Sequence, residues 1–135
     1  MHIAGLSVEL TMLGLSVVLL IAQIFLQSAT MTRELGRDYN VSARDEQKKP
    51  VGIIAGRAER ALRNLLETYP AFVGLTLALV VSGKTGSWGA LGAQIWLAAR
   101  IVYVGLYLAG VPFVRTAVWS IAILGLIMML VRLFS

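Results

Sequence analysis

Residues 5–29, 51–82, 88–109 and 113–133 are predominantly apolar, the second after a charged first half. At ~1.5 Å per helical residue, each stretch is long enough to cross a hydrocarbon core of ~30 Å. The expected architecture is therefore all-α: an integral membrane four-helix bundle forming a single domain over 1–135, with a polar loop at 30–50. Composition points the same way. The 135 residues are 58% hydrophobic, against roughly 45–50% in soluble domains, and the mean hydropathy is +0.79. There is no cysteine, which removes disulfides and cysteine-ligated metals. The one histidine, His2, lies at the terminus, so no metal site is expected. A net charge of +5 would suit nucleic acid. The basic residues, however, sit beside apolar spans, which suits anionic lipid or a small anion better.

The first span carries one charge, Glu9, near its start. It is a poor signal peptide, because no basic residue precedes it and the apolar run is too long. In the loop, Arg33, Arg37, Arg44, Lys48 and Lys49 alternate with acids. A short helix is expected near 32–39, followed by irregular chain to Pro50. Asn40-Val41-Ser42 matches a glycosylation sequon on the wrong side of the membrane for use. Ser82-Gly83-Lys84-Thr85-Gly86 is a turn. It is not a phosphate loop, because Ala78 stands where the first glycine is required. A second turn falls at Gly110-Val111-Pro112, with Pro112 suited to a helix start.

The second span is the unusual one. Its first half reads Gly56-Arg57-Ala58-Glu59-Arg60-Ala61-Leu62-Arg63-Asn64-Leu65-Leu66-Glu67-Thr68-Tyr69-Pro70, dominated by strong helix formers. Arg60, Arg63, Asn64 and Glu67 fall at i, i+3, i+4 and i+7, one helical face, with Arg57 on its edge. Pro70 is expected to kink the helix. Ionisable groups this close to an apolar run usually face a bundle interior. The plainer alternative is a headgroup-level helix end with arginine stems snorkelling outward. The third span repeats the pattern, with Arg100, Tyr103 and Tyr107 on one face. Its early part carries Gly89, Gly92, Ala93, Ala98 and Ala99, small residues that let helices approach closely in lipid. The fourth has Arg115 in its first turn and Arg132 in its last.

Eight of the twelve basic residues lie between Arg33 and Arg63. The positive-inside rule puts that side in the cytoplasm and both termini outside. The charged ends of spans two, three and four then gather at the inner leaflet. The set comprises Arg57, Arg60, Arg63, Asn64, Glu67, Arg100, Tyr103, Tyr107 and Arg115. It lacks a nucleophile–base pair. It suits instead a small anion that also carries an amine: arginine binds carboxylates bidentately, Glu67 matches an ammonium and Asn64 an amide.

Arg63-Asn64-Leu65-Leu66-Glu67-Thr68 with Tyr-Pro just after, then Arg100-Ile101-Val102-Tyr103-Val104-Gly105-Leu106-Tyr107 and a short proline-containing turn, resembles the MAPEG family, the membrane-associated proteins of eicosanoid and glutathione metabolism. Short loops and small size are similar to bacterial members of the microsomal glutathione transferase kind. The resemblance implies a homotrimer in the bacterial inner membrane, with glutathione between subunits and a lipophilic small-molecule substrate entering from the bilayer. It assigns Arg60, Arg63, Asn64, Glu67, Arg100, Tyr103 and Tyr107 to glutathione binding. Arg115 becomes the catalytic arginine that steadies the thiolate. Arg33 or Arg37 would supply a first-helix arginine, and Asp45 a loop acid. A thiol of pKa ~8.5 is a few per cent ionised at neutral pH, and a guanidinium lowering it by ~2 units supplies about 2.7 kcal/mol. The resemblance thus implies a glutathione S-transferase or peroxidase acting in detoxification. Two alternatives stand beside it: a non-catalytic lipid- or anion-binding protein of the same fold, and a small four-span exporter using Glu9.

Overall fold

The computed structural model describes residues 5–35 and 53–135. Among them are four α-helices: α1 (Val8–Leu35), α2 (Ile53–Val81), α3 (Ser87–Ala109) and α4 (Pro112–Phe134). All four are long and apolar enough to cross a membrane. Residues 32–35 continue α1 rather than opening a separate helix. α2 runs unbroken through Pro70. The readings placed on His2, Arg37, the sequon at Asn40 and Asp45 fall outside the described residues.

Local chemistry sets the helix ends. Ser7 caps α1, accepting a hydrogen bond from the Leu10 amide at 3.2 Å, and so satisfies one amide that the helix cannot. α3 stops at Gly110, whose left-handed φ of 79° lets its amide bond back to the Leu106 and Tyr107 carbonyls. Val111 is extended, as a residue before proline must be, and Pro112 opens α4.

α1 packs on α2 and α3, and α4 packs on the same pair from the other side. In lipid the apolar effect does not drive helices together, so shape and hydrogen bonds must. The α3–α4 hairpin solves this with bare backbone. A β-carbon on Gly92 would lie 2.5 Å from the Gly125 carbonyl oxygen, and one on Gly125 2.6 Å from that of Gly92. Only glycine fits both sites. The centre is aromatic. Phe72 of α2 stacks on Trp96 of α3 with centroids 3.9 Å apart. Tyr69 flanks them and shares a 2.9 Å hydrogen bond with Ser16 of α1. Large aliphatic and aromatic side chains such as Val18, Phe25, Val81 and Phe113 cover the outside, as a surface meeting acyl chains should.

Candidate anion-binding site

The site sits at the end of the bundle where α2 and α4 begin and α3 finishes. Arg100, about two and a half turns before the end of α3, is only 1% exposed. Burying a guanidinium requires partners. Its Nη1 donates to the Asn64 Oδ1 at 2.9 Å, and its Cζ lies 4.4 Å from the Tyr103 ring centroid. Its Nε has no hydrogen-bond partner. Tyr103 and Tyr107 meet tilted at 5.6 Å. Arg115 of α4 covers the second tyrosine, with Cζ 4.5 Å from the Tyr107 centroid, and Arg60 of α2 approaches the same ring at 6.0 Å. Cations over aromatic faces gain from the ring quadrupole, while guanidinium N–H groups remain free to donate at the edges.

Asn64, Tyr103 and Arg115, with Thr116 and Trp119, line a cavity of about 180 Å³. Three helices therefore contribute to one pocket. The other expected residues divide. Arg100 and Tyr107 adjoin the lining. Arg60, Arg63 and Glu67 are exposed on the outer face of α2. Arg63 pairs with Glu59 at 3.1 Å, the one side-chain ion pair among the described residues. Glu67 lies near enough to Arg100 to act on it electrostatically. Arg33 is exposed at the end of α1. Arg57 points at the helix end, donating from Nη1 to the Leu108 carbonyl at 2.9 Å. No group of three or more metal-ligating side chains occurs among the described residues.

Three residues were not anticipated from sequence. Thr116 and Trp119 carry no charge to flag them, although they lie one and four positions after Arg115. Gln23 of α1 is 4% exposed with an unpartnered Oε1. Its signal was present: Glu9, Ser16 and Gln23 recur every seven residues and all three are buried, so they mark the polar seam of α1.

The opposite end closes on itself. The buried Glu9 carboxylate accepts from the Gly86 amide at 2.7 Å, at the start of α3, where the helix dipole favours negative charge. Lys84 donates to the Leu133 carbonyl at 2.8 Å, and Arg132 Nε to the Lys84 carbonyl at 3.1 Å.

Fold and site together define a helical membrane protein whose cationic pocket is shared by three spans. The model of the MAPEG family matches residues 12–135, and the chain belongs to that family. It is accordingly an α-helical integral membrane protein. No curated protein and no solved structure matches the chain.

Proposed function

We propose that the protein is a membrane-embedded glutathione-dependent transferase or peroxidase acting on a lipophilic electrophile. The observation that carries this reading is Arg115, held 4.5 Å from the Tyr107 ring at a cavity lined by Asn64 and Tyr103. The donor set fits glutathione: guanidiniums for its carboxylates, the Asn64 amide for a peptide group, and Glu67 for its ammonium. Bound there, glutathione would supply a thiol that reacts as the thiolate. Arg115 favours that anion by Coulomb attraction. Family membership supports the coarser statement, a glutathione- or eicosanoid-type membrane function.

The pocket of one chain is small. Ligand pockets are usually ~300–1,000 Å³, against about 180 Å³ here. Arg60, Arg63 and Glu67 stand exposed just outside it. Both facts support a homotrimer in which a neighbouring copy completes the site. A groove of about 340 Å³ between α2 and α4, lined by residues such as Ala71, Leu75, Ile123 and Ile127, gives a lipophilic substrate an apolar berth. The positive-inside rule sets the arginine end in the cytoplasm and both termini outside, as in a bacterial inner membrane.

The test is a titration of glutathione into detergent-purified protein, following thiolate absorbance and bound glutathione together. Thiolate formation that Arg115→Ala removes is the expected result. Binding without thiolate would favour the non-catalytic reading, and no binding would overturn the glutathione-dependent one.

A further inference from the structure

We infer that Arg57 is a positioning residue for Arg115, acting through the α3–α4 turn; the inference rests on the role proposed for Arg115. The last carbonyls of a helix have no intrahelical donor. In α3, Leu106 and Tyr107 receive theirs from the Gly110 and Val111 amides. Leu108 receives its donor from another helix, the half-buried Arg57 of α2. A cation there also faces the negative end of the α3 dipole.

The fit around this guanidinium is close. A β-carbon on Gly110 would lie 2.6 Å from the Arg57 Nη2 and 2.8 Å from its Cζ. Gly110 is glycine for its positive φ, and the Arg57 guanidinium lies where a β-carbon would otherwise stand. Only Gly110 and Val111 separate α3 from α4. Proline at the first position of α4 fixes φ there, so the turn has little slack. Arg115 follows three residues later and stacks on Tyr107, which belongs to the same α3 terminus that Arg57 holds. One residue of slippage in α4 would rotate Arg115 by ~100° off that ring. Arg57 fixes the level and rotation of the helix carrying Arg115, while Arg57 itself does not line the cavity.

The experiment compares Arg57→Ala, Arg57→Lys and Gly110→Ala with the parent in detergent micelles. The first readout needs no ligand: hydrogen exchange across residues 106–115. Arg57→Ala and Gly110→Ala are expected to speed exchange of the turn amides roughly tenfold, the scale of one charge-assisted hydrogen bond. The second is thiolate absorbance per bound glutathione. It should fall in Arg57→Ala while binding is largely kept, and return in Arg57→Lys, whose ammonium can donate to the same carbonyl. Exchange unchanged from the parent overturns the latch. Faster exchange with an unchanged thiolate fraction makes Arg57 a structural clamp only, and overturns the positioning role. A parent protein that forms no thiolate overturns the functional reading, and the positioning role with it. A loss seen only in the Arg57 variants leaves the functional reading intact.

Discussion

The two ends of this bundle handle charge in opposite ways. At the end carrying the α2–α3 turn, Glu9, Lys84 and Arg132 each hold a backbone group at 2.7–3.1 Å. These bonds tie α1, the α2–α3 turn and the end of α4 together. At the arginine end, Arg115 and Arg60 lie over the Tyr107 ring, while the buried Arg100 beside Tyr103 already donates to Asn64. A ring face stabilises a cation without using its N–H donors, so those donors stay available to an anion. The charge placed against backbone at one end stabilises the fold, whereas the charge placed against rings at the other remains open to a ligand. Arg57 belongs to the first kind although it sits at the second end.

The contrast predicts which substitutions separate chemistry from stability. Arg115→Ala should lower the thiolate fraction at neutral pH from most of the bound glutathione to a few per cent, roughly 25-fold, the effect of ~2 pKa units on a thiol of pKa ~8.5, and leave the melting temperature near that of the parent. Glu9→Ala should do the reverse. It removes the acceptor of the half-buried Gly86 amide, costing about 2 kcal/mol, and thermal unfolding in micelles will read this as a lower midpoint. If Glu9→Ala also lowers the thiolate fraction of protein that is still folded, the two ends are coupled and the contrast breaks. Asn64→Ala removes the acceptor from the buried Arg100 and should weaken glutathione binding roughly tenfold, measurable by calorimetry. Ser16→Ala, midway between the ends, loses one neutral hydrogen bond to Tyr69. It should lower stability by about 1 kcal/mol and leave glutathione binding unchanged.

Much of the fold was legible because lipid imposes a length rule on helices, and because Gly110 and Pro112 end and begin helices by local chemistry. The site was legible in its residue types but only partly in its geometry. Periodicity correctly put Arg60, Arg63, Asn64 and Glu67 on one face of α2. It said nothing about what that face meets. Asn64, at its edge, turns inward to Arg100, while the other three are exposed, with Arg60 reaching to 6.0 Å from the Tyr107 ring. A face is a property of one helix, whereas a pocket depends on the crossing of several. The same limit explains Gly125, whose importance exists only because Gly92 lies opposite. Trp119 was silent for a related reason. An aromatic residue in an apolar run looks like any lipid-facing side chain until the neighbouring helices are in place.

The contact between Gly92 and Gly125 has one more consequence. With carbonyl oxygens standing where methyl groups would go, the two helices meet as a hinge pin seated without clearance. A saturation library should therefore record an abrupt blank at these two columns, since even alanine forces the hairpin apart. The acyl-facing columns at Val18 and Phe25 should accept nearly any aliphatic replacement.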